Sequence, residues 1–223
     1  MSLNLNPSPQ NYKVFPEKGT ERAIDLMPKL IAEGRTPLSV AGFMEARLKH
    51  GKELSDWMDN WFDMGDAIVY HPNGRVKIVL DSEHLREINP QSELRNGALI
   101  LPSGTYYVLE GQEFKRSELE KYTGNSLSAK AVKKNPIWKS LARDSNLLNE
   151  YTDFIFSQTK ERFNYDRNMG IYVNSTSGDS PILRAWYVDR LDYRSNALGR
   201  ISLDLDYGRF VGVSTRGAKR VEE

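Results

Sequence analysis

Residues 52–66 read KELSDWMDNWFDMGD, with two tryptophans, a phenylalanine and two methionines set among five carboxylates and one lysine. Leu54, Trp57, Met58 and Trp61 fall at the i, i+3, i+4, i+7 spacing of one buried helical face. That spacing predicts a helix over 52–64 with both tryptophans in a core. Glu53, Asp56, Asn60 and Asp63 then line the opposite face at intervals of three and four, where like charges repel. The stretch carries a net −4, one lysine against five acids, so a cation is expected beside it.

The obvious complement is SLSAKAVKKNPIWKSLAR, residues 126–143, which holds Lys130, Lys133, Lys134, Lys139 and Arg143 and no acid. Three arrangements follow from it. The window neutralises the acidic stripe, it meets an outside anion such as nucleic acid or an acidic protein, or both faces are simply solvated. A second basic signal lies near the C-terminus, where Arg184, Trp186 and Arg190 share one side of an extended segment. Arginine beside aromatic rings on a sheet can neutralise phosphates and stack unpaired bases. The plainer alternative is an aromatic sheet face packed on a helix.

N-terminal to the opening stretch, residues 1–19 carry three prolines and little periodicity, which predicts a loose arm. TERAIDLMPKLIAEG predicts a helix capped by Thr20 and kinked at Pro28. TPLSVAGFMEARLKHG predicts another, with Thr36 as cap, Pro37 in the first turn and Gly51 as a left-handed stop. C-terminal to it the period changes to two. AIVYHPNGRVKIVLD predicts a hairpin turning at HPNG, and NGALILPSGTYYVLEG one turning at PSG. Helices are expected again at RSELEKYTG, at 126–143 broken by Pro136, and at 144–164 capped by Asp144. A final hairpin is expected in RISLDLDYGRFVGVS. The expectation is therefore an α+β fold with antiparallel hairpins in the order α-β-α-β. It forms one unit, or two halves at 20–124 and 125–223 behind the arm.

Composition sets the outer bounds. The 223 residues are 39% hydrophobic and 27% charged, enough for a core and ordinary for a folded protein. Thirty-one basic against thirty acidic side chains leave +1, so any attraction to a polyanion has to be local. No cysteine is present, which removes disulfides and thiolate chemistry. The absence of a basic, apolar leader and of any 18-residue apolar run predicts a cytoplasmic protein without a membrane partner.

Catalytic groups are sparse. His84 has Asp81 and Glu87 three residues to either side, a spacing that could share a metal on a short helix. Asp204 and Asp206 occupy alternate positions of the expected last strand and could hold Mg²⁺ for phosphoryl hydrolysis. Phosphate-loop, dinucleotide, nucleophile-elbow and zincin motifs are all missing. The leading expectation is an intracellular binding protein that engages nucleic acid or another polyanion through residues 130–143 and the Arg184/Trp186/Arg190 strand. The alternatives are an assembly subunit that forms homo-oligomers and reaches a neighbour through its arm and its STRGAKRVEE tail, and a metal-dependent hydrolase using the strand carboxylates.

Overall fold

The computed structural model of the chain describes residues 3–5, 11–174 and 178–214. It opens with β1 (Tyr12–Phe15), α1 (Ala23–Ala32), β2 (Arg35–Pro37) and α2 (Val40–His50). Strands thus lie among the first helices, and the order is more interleaved than four blocks. Thr36 and Pro37 are strand residues, and α2 is capped instead by Ser39, whose hydroxyl accepts from Gly42 N at 3.1 Å. Gly51 ends α2 in right-handed geometry, not as a left-handed stop. Its value there is size, because a Cβ would lie 2.6 Å from Arg47 O and 2.7 Å from Met58 Sδ.

The opening stretch divides. Only α3 (Asp56–Asp59) is helical, and β3 (Phe62–Tyr70) begins one residue after Trp61. β4 (Arg75–Val79) returns from it through the expected turn, with Gly74 at φ +82. Then come α4 (Glu83–Arg86), β5 (Leu94–Arg95), β6 (Ala98–Ile100), α5 (Thr105–Val108), β7 (Gln112–Lys115) and α6 (Arg116–Leu119). The second hairpin therefore turns at Asn96–Gly97, while Pro102–Gly104 leads into a helical turn. α7 (Ala129–Lys134) and α8 (Pro136–Ala142) are separated at Pro136, where the Asn135 side chain accepts from Ile137 N and Trp138 N. α9 (Ser145–Phe163) is capped by Asp144, as its sequence predicts. The remaining strands are β8 (Ile171–Val173), β9 (Ile182–Val188), β10 (Ala197–Gly199) and β11 (Phe210–Ser214).

Among the described residues eleven strands join one sheet whose main path runs β1-β11-β3-β9-β10-β8. β1 pairs with β11 over Tyr12–Phe15, so part of the expected loose arm is a strand. The sheet is mixed, because β10 runs parallel to β8 and β11 parallel to β3, while β3, β4 and β9 are antiparallel neighbours. Strands from both sides of residue 124 alternate in it.

β3 is buried along its whole length. Its side chains serve two cores. Phe62, Met64, Ile68 and Tyr70 pack with Phe43 of α2, Trp138 of α8, Tyr151 of α9 and Trp186 of β9. Ala67 and Val69 pack with Leu26 and Leu30 of α1, and with Leu183 and Phe210. A sheet covered on both faces explains why β3 does not alternate between buried and exposed positions.

Candidate ligand-binding face

After Val188 the chain leaves β9, makes a 3₁₀ turn at Leu191–Tyr193, and passes Arg194 and Ser195 at φ +66 and +50. It then re-enters the sheet as β10. Residues 200–209 return to β11 as a series of turns, not as the expected hairpin strand. Such an irregular segment needs partners for its main chain, and a few buried side chains supply them.

Arg47, on α2, is fully buried. Its Nε donates to Trp57 O at 2.7 Å, one terminal nitrogen donates to Ser195 Oγ and Tyr151 Oη at 2.7 and 3.0 Å, and the other to Asp189 O and Asn60 O at 2.9 and 3.2 Å. All five of its N–H donors are thereby used. Arg184 plays the matching role for the next segment, donating to Ile201 O at 2.9 Å and to Asn96 O. Tyr70 Oη donates to Gly199 O at 2.5 Å. The turns beyond are tied by Leu203 N to Gly97 O, Thr20 Oγ1 to Asp206 O and Arg209 N to Asp63 Oδ2, at 2.7–2.8 Å. Thr20 therefore anchors this loop instead of capping α1.

What this scaffold presents is aromatic and polar. Tyr193, Leu205 and Tyr207 are 57%, 51% and 67% exposed. They line a cavity of about 640 Å³ together with Trp61, Tyr172 and Tyr187, with Asp189, Asn196, Arg200 and Ser202 supplying polar groups. Trp61 is held by two guanidinium groups over its ring, Arg190 at 5.5 Å and Arg209 at 5.0 Å from the centroid. Burial pushes the Asp189 carboxyl up to about 6, against the lowering effect of the Asn196 and Tyr187 side chains that hydrogen-bond it. On the other side of Tyr187, its β3 partner Asp63 is buried and pushed up to about 7, for the same reason. Tyr187 itself is raised by burial and by both carboxylates.

No family profile and no curated protein matches the chain. A solved structure described as showing accommodation of massive sequence variation in Nanoarchaeota by the C-type lectin fold does match. The TM-score is 0.72 at 17% identity, over 93% of this chain and 100% of that one. The fold is thus of the C-type lectin class.

The expected nucleic-acid or polyanion role is corrected here: the likeness shows a fold and gives no evidence of nucleic-acid binding, and most of the side chains expected to carry that role are buried or already paired. Nor does a fold alone support the assembly-subunit and hydrolase alternatives. The side chains agree. Trp186 is 0% exposed and Arg184 2%, so neither is displayed. Burying an indole removes on the order of 200 Å² from water, worth about 5 kcal/mol. Stacking one base on it returns only about 1–3 kcal/mol, so the core position wins. Arg190 is on the face but is occupied by Trp61, Tyr193 and Asp192.

In the basic window, Arg143 pairs with buried Asp66 at 2.8 Å and with Asp81 at 2.7 Å, and Lys133 pairs with Asp153 at 2.6 Å. Lys130, Lys134 and Lys139 stay exposed on the outer sides of α7 and α8. Asp66 is thus the one acid of residues 52–66 that meets the basic window among the described contacts, and Asp56, Asp59 and Asp63 find other partners. Asp59 meets Arg162 at 2.5 Å, Asp56 accepts from Asn4 N, and Asp63 accepts from Arg209 N.

The metal candidates do not converge. Asp81 turns to Arg143, leaving His84 Nδ1 4.0 Å from Glu87 alone. Asp204 and Asp206 sit on exposed turns, not on alternate positions of a strand. No group of three or more acidic or histidine side chains able to hold a metal occurs among the described residues. Likewise, no helix among the described residues is long and apolar enough to cross a membrane. The expected reach of the tail beyond Ser214 lies outside the described residues.

Sequence reasoning missed Arg47, Tyr172, Tyr187, Tyr193 and Tyr207 as one site. Arg47 in EARLKH reads as a charged outer face. The tyrosines lie on four separate segments with no fixed spacing. The available signal was a segment, 187–207, rich in tyrosine, aspartate and arginine.

Proposed function

We propose that the chain is a recognition module that binds a protein partner on the face formed by Trp61, Tyr172, Tyr187, Tyr193, Leu205 and Tyr207. The observation that carries this reading is the exposure of Tyr193, Leu205 and Tyr207 on the wall of one cavity. An exposed apolar cluster with a polar rim marks an interaction surface. The composition also suits protein recognition, since tyrosine and tryptophan give large contact area at low conformational cost, while serine and asparagine adapt their hydrogen bonds.

The neighbour's description, sequence variation accommodated by the fold, adds support. Leu205 and Tyr207 make no side-chain hydrogen bond among the described residues, and the loop is held by main-chain bonds and by Arg47 and Arg184. The face can therefore change without disturbing what holds it.

The test is to pan a random-peptide display library on the protein and on a Leu205→Ser/Tyr207→Ala variant. Peptides that bind the wild type and bind the variant at least about tenfold more weakly support the reading. Enrichment of peptides that bind both alike, or no enrichment over an unrelated protein, overturns it.

A further inference from the structure

We propose that a second cavity beside this face, between Arg167 and Arg194, is a subsite for the carboxylate of an aspartate or glutamate side chain of the protein partner. This rests on the tyrosine-rich face being the binding site. The second cavity is about 490 Å³ and shares Tyr172, Tyr193 and Asn196 with the first, so a single ligand can span both.

The arginines on these walls lack internal counter-ions. Arg167 is exposed, and its Nε donates to Ser126 O at 2.8 Å, while its two terminal nitrogens donate to no acceptor among the described residues. Arg194 is fixed by a bond from one terminal nitrogen to Arg167 O at 2.8 Å and by the Tyr165 ring 4.0 Å below it. Arg200 is exposed and lies over the shared Tyr172 ring at 5.2 Å. None of the three has a carboxylate within ion-pair distance among the described residues, whereas Arg143 and Arg162 are paired.

The nearby acids do not fill the gap. Asp192 Oδ1 is 2.8 Å from Arg190 Nε, and the Asp189 carboxyl is hydrogen-bonded by the Asn196 and Tyr187 side chains. With a chain charge of only +1, this excess is local to the site. A guanidinium fork matches a carboxylate in shape and charge, and a partly enclosed wall strengthens the pairing over open water.

The probes are the library peptides whose binding is lost in the Leu205→Ser/Tyr207→Ala variant. Each is compared by fluorescence anisotropy with its Asp→Asn or Glu→Gln form, against wild type, Arg167→Gln and Arg194→Gln, at two salt concentrations. The proposal expects these peptides to carry an acid at a fixed distance from an aromatic residue. Removing that charge weakens binding to wild type about tenfold, and much less to Arg167→Gln or Arg194→Gln. Face-dependent peptides with no such acid, or an equal loss in wild type and both variants, overturn the subsite and leave the face standing. Peptides indifferent to Leu205 and Tyr207 overturn both.

Discussion

Asp63 is a carboxylate placed where the sheet is driest. It accepts from Arg209 N at 2.8 Å, yet burial keeps it protonated up to about 7, against 3.8 when unfolded. Between those values the folded chain binds more protons than the unfolded one. The contribution is complete below about pH 4 and is lost as pH rises through about 7, and Asp189, raised to about 6, adds in the same direction. Unfolding free energies from urea titrations should fall across this window, by up to about 1.4 kcal/mol per pH unit for each such proton. Asp63→Asn keeps an acceptor for Arg209 N and should flatten much of that slope, and an unchanged slope contradicts the assignment. Arg47 is the other decisive residue. Arg47→Met strands the carbonyls of Trp57, Asn60 and Asp189 without their donor, so urea denaturation should show a loss of about 3 kcal/mol or more. A surface arginine, which is how its sequence reads, would change stability by no more than about 0.5 kcal/mol.

Local signals in the sequence decided most of the elements. Asp144 and Asn135 cap α9 and α8 because their side chains reach the free amides of the first turn, and HPNG turns β3 into β4 because Gly74 takes a positive φ. Residues 60–66 resisted because a strand covered on both faces carries no alternation, and Trp57 and Trp61 mimic a helical stripe across its start. The carboxylates there read as a solvated face. In fact Asp66 accepts from Val40 N at 2.7 Å, Asp81 N at 2.9 Å and Arg143 at 2.8 Å, all from segments distant in sequence. Residues 200–209 alternate like a strand, but Arg184, Gly97 and Thr20 hold them as turns. Gly97 tests that loop. It has φ +72, and a Cβ would lie 2.3 Å from Ser202 Oγ, whereas Gly104 has φ +92 and nothing within 4 Å. Gly97→Ala and Gly104→Ala should each cost about 1–2 kcal/mol of stability for the left-handed backbone. Only Gly97→Ala should also weaken peptide binding; equal effects on binding would detach the loop from the site.

At the scale of the molecule, a mixed sheet with a core on each face supports the irregular turns on either side of β10, and these carry Tyr193 and Tyr207, the exposed rings of the face. Composition and periodicity reveal helices, strands and a core. They do not reveal which residues from Trp61, Tyr172 and the 187–207 segment converge, because that depends on strand order and on buried donors that look like surface charges. Scaffold and face should separate in experiment. Tyr193→Ala combined with Leu205→Ser and Tyr207→Ala removes side chains that are more than half exposed, so Tm should move by no more than about 3 °C. The most direct measurement is the affinity of wild-type-selected peptides for this triple variant, read by fluorescence anisotropy beside its melting curve. The account predicts at least about tenfold weaker binding with a near-native Tm; peptides that bind the triple variant as tightly as the wild type would contradict it.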